Sequence, residues 1–215
     1  MNILTTYIRK VEPPALPQAT EEYTRSYQDQ NNNVLRLFFN QLTNSLNAIL
    51  GVNGGANIRF PYGAFQSGVD QTAIVNTATV MTFNVTDYSN AVSVVSSSRI
   101  TVINSGIYNL QWSGQFENAD TQLHDASVWI RVNGADVVGS NGLISVPNKH
   151  GGVNGHTIAA WNYFVQLNAG DYVELWWSTD DAQVSLQYYA AGTGPTRPTT
   201  ASVIATLSFV SALPA

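Results

Sequence analysis

The chain has 215 residues, a formal net charge of −5 and no cysteine. Only 11% of its residues are charged, whereas a usual soluble domain is about one quarter charged. Asn, Gln, Ser and Thr take the place of the charged residues and make up 70 of the 215. The lack of cysteine excludes a disulfide scaffold and a cysteine-ligated zinc or iron–sulfur site.

The charge balance also narrows the classes of partner. Nine basic residues spread along a chain with a pI near 4.9 leave no footprint for nucleic acid or for an anionic membrane. No apolar stretch approaches the ~20 residues that cross a bilayer, and the N-terminus lacks the pattern of a signal peptide. The composition therefore favours a rigid, neutral, surface-exposed β protein over an enzyme.

Residues 1–20 are predicted to form an extended arm. The segment 11–17 reads Val-Glu-Pro-Pro-Ala-Leu-Pro and holds three of the eight prolines. Proline fixes its own φ and pushes the preceding residue toward extended conformations. The arm is therefore expected either to lie along a partner, as an anchoring segment, or to stay mobile.

Residues 21–51 are predicted to form a helix. Thr20 is a suitable N-cap, Glu21 and Glu22 would lie in the first turn, and Gly51 would follow the last turn. Apolar residues then recur with heptad spacing and predict a short coiled-coil seam, composed of Leu35, Phe39, Leu42, Leu46 and Ile49. Two heptads are marginal alone, so the helix packs either on its own domain or, as we favour, on copies of itself in a trimeric stem.

Residues 52–215 are predicted to be all-β. Short runs rich in Val, Ile, Thr and aromatic residues are separated by Gly and Asn. Alternation is clear in 127–132 and 171–177, and Asn133-Gly134 is a strong hairpin signal. Eight to ten strands at this spacing without an internal helix predict an antiparallel sandwich or jelly roll. The candidates for them are eleven ranges, 62–67, 79–85, 91–95, 99–103, 106–116, 126–132, 136–139, 156–168, 171–178, 183–190 and 200–210.

Four segments of this region resemble the C1q/TNF-like jelly roll, in that family's order. They are Gly106-Ile-Tyr108 entering a long strand, Val132-Asn133-Gly134, Leu167-Asn-Ala-Gly-Asp-Tyr-Val173-Glu-Leu175, and the last strand 202–210 with Phe209. The resemblance implies an antiparallel jelly-roll knob that assembles as a homotrimer. It implies that aromatic strand faces meet between subunits, which makes candidate interface residues of Trp129, Phe164, Tyr172 and Trp176. The alternative is that these faces are simply buried in the sandwich.

The N-terminal part has a resemblance of its own. A Pro-rich arm followed by Tyr23-Thr-Arg-Ser-Tyr27 and by Leu35-Arg-Leu-Phe-Phe39 resembles the N-terminal segment of small virion proteins of marine tailed phages, which precedes a C-terminal β knob. The few lysines, the lack of cysteine and the abundant Asn, Thr, Ser and Gly are similar to phage fibre and decoration proteins. The resemblance implies that the protein is located on the surface of a phage particle.

Histidines and carboxylates are the candidates for chemistry. Asp120, His124 and Asp125 could hold a divalent cation through oxygen and imidazole ligands. The interpretation that we favour is that His124, His150 and His156 are all solvated residues in loops. The densest carboxylates are Asp171, Glu174, Asp180 and Asp181. A glycosidase would need two of them facing each other, and no local motif indicates that. We therefore predict no catalytic residues, no metal and no cofactor.

The Gly/Thr/Pro-rich segment 192–200 follows two tyrosines. Tyr188, Tyr189 and Arg197 are candidate contacts to a sugar or protein on a host cell, although a plain surface connection is the interpretation of this segment that we favour. Two functions are thus open. One is a structural virion protein, a homotrimeric short fibre or capsid-decoration knob that its arm docks to capsid or tail proteins. The other is a receptor- or glycan-binding tip of the tail.

Overall fold

The computed structural model describes residues 12–18, 21–50 and 59–213. The chain divides into two compact units, Met1–Arg59 and Phe60–Ala215. In the first unit, residues 12–18 have no regular secondary structure and α1 spans Arg25–Leu50. This helix of the described chain is not apolar enough along its length to cross a membrane.

The helix begins at Arg25, four residues later than predicted. Thr24 is the N-cap: its side-chain oxygen accepts a hydrogen bond from the Tyr27 N–H at 3.4 Å, and its carbonyl accepts one from the Gln28 N–H at 3.2 Å. Because Thr24 caps the helix, Glu21 and Glu22 precede it and do not lie in its first turn. The predicted cap Thr20 and the residue Gly51 lie outside the described residues.

The second unit is built entirely of strands. In chain order they are β1 (Tyr62–Ser67), β2 (Gln71–Thr72), β3 (Thr79–Val80), β4 (Val85–Asn90), β5 (Val92–Val95), β6 (Arg99–Val102), β7 (Gly106–Asn118), β8 (His124–Val132), β9 (Ala135–Asp136), β10 (Gly142–Val146), β11 (Gly155–Leu167), β12 (Tyr172–Thr179), β13 (Val184–Leu186), β14 (Gly192–Thr193), β15 (Thr196–Arg197) and β16 (Val203–Ser211).

The strands form two antiparallel sheets and one small hairpin. In the first sheet β7 pairs with β11 on one side and β16 on the other, β16 continues to β1 and β4, and β13 and β2 join at one end of β7. The second sheet runs β10-β8-β12-β6-β5, with β3 and β9 attached. β14 and β15 pair only with each other. The predicted all-β, antiparallel jelly-roll sandwich preceded by one helix is confirmed.

Alternation along the long strands builds the core. Every second residue of β7 from Gly106 to Asn118 is buried, and the same period runs through β8 and the first part of β16. Large side chains from both sheets fill the space between them, among them Tyr108, Phe116, Ile130, Leu175, Trp177 and Leu207, which are all fully buried. Burial of each such side chain is worth roughly 1.5–3 kcal/mol.

The predicted hairpin at Asn133-Gly134 joins β8 and β9. Asn133 has φ 50° and Gly134 has φ 82°, so both residues adopt the left-handed backbone of a two-residue hairpin turn. The Asn133 side chain also links this turn to β12, because it donates to Asp171 Oδ1 at 2.8 Å and accepts from the Tyr172 N–H at 3.1 Å. The turn therefore helps to fix the register of the second sheet.

Candidate functional site

The predicted stem residues lie along one side of α1. No residue of this helix is buried, and the exposed fractions of Phe39 and Leu46 are 56% and 47%. The described part of the arm contacts a neighbouring side, where it lines a pocket of about 370 Å³ composed of Glu12, Pro14, Val34, Leu37, Phe38 and Gln41. The described residues of this unit cover Leu35 and Leu42 in part and leave Phe39, Leu46 and Ile49 exposed. The coiled-coil role of this seam stays a prediction.

The four predicted interface aromatics do not share one surface. Phe164 projects from β11 on the outside of the first sheet and is 64% exposed. Trp129, Tyr172 and Trp176 project from β8 and β12 on the outside of the second sheet and are only partly exposed. The two groups face away from the core on opposite sides of the sandwich. Because the interface of a cyclic trimer joins two different surfaces of neighbouring subunits, both groups are compatible with it, and the interface role of the four residues stays a prediction.

Charged side chains of the chain itself cover the aromatics of the second sheet. The Arg131 guanidinium lies 3.9 Å from the centre of the Trp176 ring, and its Nε donates to Asp136 Oδ1 at 2.5 Å. The same carboxylate oxygen accepts the Trp129 indole N–H at 2.8 Å. These hydrogen bonds, from Arg131 first and Trp129 second, lower the pKa of Asp136.

Glu174 connects this cluster to a second arginine. Its side chain is 8% exposed, accepts from Ser98 Oγ at 2.8 Å and lies 3.6 Å from Arg99 Nε. Arg99 in turn lies over the Tyr172 ring at 4.6 Å. We call the set Arg99, Arg131, Asp136, Glu174 and the three aromatics the arginine ladder. Within this set, each arginine lies near a carboxylate and over an aromatic ring of the same chain.

The outside of the first sheet is different. The side chains that β7, β11 and β16 project outward are uncharged along the central part of the sheet, and we call this surface the neutral face. It consists of Ile107, Asn109, Gln111, Ser113, Gln115, Ile158, Ala160, Asn162, Phe164, Gln166, Ile204, Thr206 and Ser208.

The neutral face contains a shallow depression with apolar side chains at its rim. The depression has a volume of about 610 Å³ and lies over the middle of β7. Ile158 and Phe164 stand on β11 on either side of it with exposed fractions of 69% and 64%, and Ile204 is 43% exposed on β16. Interfaces between proteins are depleted in charge and enriched in aromatic residues at their centre. This surface has both properties.

A second, polar pocket contains two of the three predicted contact residues. It has a volume of about 350 Å³ and is lined by Gln115, His156, Tyr189, Arg197 and Thr200; we call it the Tyr189 pocket. Tyr188 is not among its lining residues, because neighbouring residues of an extended chain point to opposite sides. The Tyr188 N–H instead donates to Asp70 Oδ1 at 2.7 Å.

Tyr189 is held in one position by its main chain and its hydroxyl. Its N–H and C=O pair with Thr200 at 3.0 and 2.8 Å. Its hydroxyl donates a short hydrogen bond to Glu117 Oε2 and lies 3.2 Å from His156 Nδ1. Burial, followed by the bond to Glu117, raises the pKa of Tyr189 well above its ordinary value. The ring therefore forms a fixed, neutral wall.

The His124 cluster is the other concentration of ionisable groups. His124 Nε2 lies 3.0 Å from Asp120 Oδ2 and 3.8 Å from Asp181 Oδ2, and Nδ1 lies 3.3 Å from Asp180 Oδ1. The hydrogen bond with Asp120 is the main cause that raises the pKa of His124, and it lowers that of Asp120. Because carboxylates face both ring nitrogens, the geometry suits an imidazolium.

This cluster departs from the sequence-based expectation in two ways. His124 begins β8 and its side chain is 15% exposed, so it is not a solvated loop residue. Asp125 bonds elsewhere, to Ser145 Oγ at 2.7 Å. Asp120, His124 and Asp181 offer ligand atoms within 4.8 Å of one another, and Asp181 comes from the distant β12–β13 turn, which the sequence did not pair with His124. His150 is exposed in a loop, as expected, whereas His156 is exposed but lies in β11, where Nδ1 contacts the Tyr189 hydroxyl.

The sequence did not predict four residues at the two candidate surfaces, which are Ile158 and Ile204 on the neutral face and Glu117 and His156 at the Tyr189 pocket. Alternation places Ile158 and Phe164 on the same side of β11, so the sequence pattern could have predicted this pair. It could not have predicted the strand order β11-β7-β16, which brings Ile204 beside them. Glu117 meets Tyr189 across 72 residues of chain, and no local signal predicts that contact.

No protein-family model matches the chain, and no curated protein matches it in sequence. Among solved structures, the globular domain of zebrafish complement 1qA protein is similar, with a TM-score of 0.45 and 11% sequence identity. The match covers 72% of this chain and 100% of that domain.

Proposed function

We propose that the protein is a structural virion protein of a tailed bacteriophage, a homotrimeric short fibre or capsid-decoration knob on the surface of the particle. In this role the β unit is the knob, α1 forms a short trimeric stem, and residues 1–20 dock the assembly to capsid or tail proteins. The role is mechanical and needs no reaction. Three arms bind together, so weak contacts of each arm combine through effective concentration.

The neutral face is the observation that carries self-association. Exposed Ile158, Phe164 and Ile204 surround a depression with no charged side chain among its lining residues. Amides and hydroxyls on the same surface keep hydrogen-bonding edges for a partner. A neutral surface does not repel a copy of itself, as a surface of one charge sign would. The number of three copies follows from the strand-motif resemblance.

The helix and the composition support the same assembly. The described residues of its unit leave most of the seam of α1 exposed, and two heptads gain stability only when other copies are held nearby. Placement on a phage particle rests on the N-terminal resemblance and on the amide-rich, lysine-poor composition.

Removal of the arm tests the docking role. A chain that lacks residues 1–20 is expected to form an oligomer with the same number of copies as the full chain and to be lost from purified particles. Replacement of the arm by a scrambled segment of equal length and composition is the matched control and should fail in the same way. Incorporation of either variant at the level of the full chain would overturn the docking role.

The Tyr189 pocket favours a second function, a receptor- or glycan-binding tip. The pocket combines a fixed aromatic ring with an arginine and three polar side chains, which is a usual composition for a small-ligand site. Binding of fluorescently labelled protein to host cells tests this role. Saturable binding that Tyr189→Ala abolishes and Tyr188→Ala leaves intact would support it; binding unaffected by Tyr189→Ala would contradict it.

A further inference from the structure

We propose that the Tyr189 pocket binds a carboxylate-bearing sugar residue, such as a hexuronic acid, with Arg197 as the carboxylate-binding group. The inference rests on the proposed binding role and specifies the chemical class of its ligand. It follows from which polar atoms of the pocket are already used and which are available.

The acidic group nearest the pocket lies behind Tyr189, and both of its oxygens accept hydrogen bonds. Glu117 accepts the Tyr189 hydroxyl on Oε2 and the Asn154 amide on Oε1 at 2.8 Å, and its side chain is only 13% exposed. His156 Nδ1 lies 3.7 Å from the same Oε2. The carboxylate therefore serves to fix the tyrosine and the histidine, and it is not one of the side chains that line the pocket.

Arg197 is the one cationic lining residue with a permanent charge. It stands opposite Gly192 in the β14–β15 hairpin. Its side chain lies against the Gly192 backbone, since a Cβ on Gly192 would come within 2.5 Å of Arg197 Nε. Within residues 59–213 the guanidinium makes no hydrogen bond and no ion pair. A planar guanidinium with unused donors matches a carboxylate in bidentate geometry.

The other lining residues suit the hydroxyl groups of a sugar. Because the Tyr189 O–H is donated to Glu117, Nδ1 of His156 is directed at the tyrosine oxygen and Nε2 is the ring nitrogen left for a ligand. The side chains of Gln115 and Thr200 make no hydrogen bond among the described residues and add two donor–acceptor groups. A volume of about 350 Å³ lies at the lower end of ligand pockets and suits one or two sugar residues.

Arg197 decides between an acidic and a neutral sugar. A neutral sugar would offer the guanidinium only hydroxyl partners, whereas a carboxylate forms charge-assisted bonds that are about twice as strong as neutral ones. The site also lies in a chain of net charge −5, so a basic ligand would be attracted at long range but would meet a cation in the pocket. The carboxylated sugar fits both the shape and the charge of the lining residues.

Titration of the ¹⁵N-labelled full chain with three simple glycosides tests the proposal. Methyl β-glucuronide and methyl β-glucoside differ only at the carboxylate, and the methyl glycoside of N-acetylneuraminic acid provides a second acidic sugar. We expect the glucuronide to bind with a Kd on the order of 1 mM, to shift the amide signals of Gln115, Arg197 and Thr200, and to bind at least tenfold more tightly than the glucoside. Stronger binding of the neuraminic acid glycoside would identify the nine-carbon acids as the preferred source of the carboxylate.

Variants separate the role of Arg197 from a general effect of charge. Arg197→Gln should lose at least tenfold in glucuronide affinity and leave glucoside affinity unchanged, whereas Arg25→Gln, which removes an equal charge from the exposed helix, should change neither. Equal binding of glucuronide and glucoside, shifts outside the pocket, or full glucuronide binding by Arg197→Gln would overturn the proposal. If the glycosides fail while binding to host cells persists, the sugar assignment falls and the binding role stands.

Discussion

The outer surfaces of both sheets carry aromatic residues, but charged side chains cover them on only one of the two sheets. On the second sheet, Trp129 and Trp176 lie beside Arg131, which covers one ring and pairs with Asp136. On the first sheet, Phe164 has no charged neighbour on the neutral face and stays 64% exposed. An aromatic residue that points outward is therefore a candidate for an interface only where no side chain of the same subunit covers its ring.

We propose that this difference separates the roles of the two surfaces. The arginine ladder is expected to stabilise one subunit, because its ion pairs and ring contacts form within the chain. The neutral face is the proposed surface for assembly. Substitutions in the two surfaces and in the stem test this division, and the His124 cluster adds a separate test of subunit stability; the largest expected effect comes first.

Phe164→Asp is expected to abolish assembly. A carboxylate at the rim of the depression would be buried without a partner in an interface, yet the subunit should lose less than about 0.5 kcal/mol, because the residue is exposed. Sedimentation velocity measures the mass, and urea unfolding measures the stability. Leu143→Asp is the matched control, since Leu143 is 76% exposed on the outside of the second sheet. If Leu143→Asp dissociates the assembly and Phe164→Asp does not, the roles of the two surfaces are reversed.

Glu174→Ala is expected to destabilise the subunit by about 2–3 kcal/mol. Removal of a buried partner costs roughly 3–5 kcal/mol in a fully buried ion pair, and the effect is smaller here because Arg99 is 47% exposed. Urea unfolding gives the free energy. Asp136→Ala, at the exposed end of the ladder, should destabilise the subunit clearly less than Glu174→Ala does. An equal decrease in the free energy of unfolding for the two variants would contradict the central role given to buried Glu174.

The His124 cluster predicts a loss of stability at high pH. The folded-state pKa of His124 is raised, so its contribution is complete below the unfolded pKa of about 6.5 and is lost as the pH rises through the folded value. Asp120 has a lowered pKa, and its contribution is lost only in acid. Urea unfolding at pH 6 and pH 9 should show a decrease on the order of 1 kcal/mol.

Two histidine variants make that test specific. His124→Gln should remove the decrease between pH 6 and pH 9, whereas His150→Gln should keep it, because His150 is exposed and the carboxylates Asp120, Asp180 and Asp181 face His124 instead. A decrease that survives His124→Gln would place its origin in another group.

Leu42→Asp in the helix is expected to have the smallest effect. If the neutral face carries assembly, a stem of two heptads adds helix content without deciding the number of copies. Circular dichroism should show a small loss of helix, and the oligomeric mass should not change. A change to monomer would transfer the main role in assembly from the sheet to the stem.

The sequence predicted the elements better than it predicted their partners. Alternation in β8 and β12 and the Asn133-Gly134 turn gave strands that the structure confirms, because these signals depend on residues close together in the chain. β10 was missed, since its five residues from Gly142 to Val146 contain one glycine, no aromatic residue and too short a pattern.

The candidate sites depend on contacts between distant segments and were therefore predicted only in part. Tyr189 and Arg197 were identified from a loop of unusual composition, but Glu117 and His156 reach them from β7 and β11. The aromatic residues Trp129, Trp176 and Phe164 were predicted as one group because alternation shows that a residue points outward without showing from which sheet. The arginines that cover two of these rings are visible only in the folded chain.

The mass of the full chain in solution tests the account most directly. Sedimentation equilibrium of the unmodified protein at micromolar concentration should give three times the 23.3 kDa of one chain, with no dependence on moderate salt because the proposed interface is uncharged. A stable species of 23.3 kDa across that concentration range would contradict self-association through the neutral face and, with it, the proposed trimeric knob.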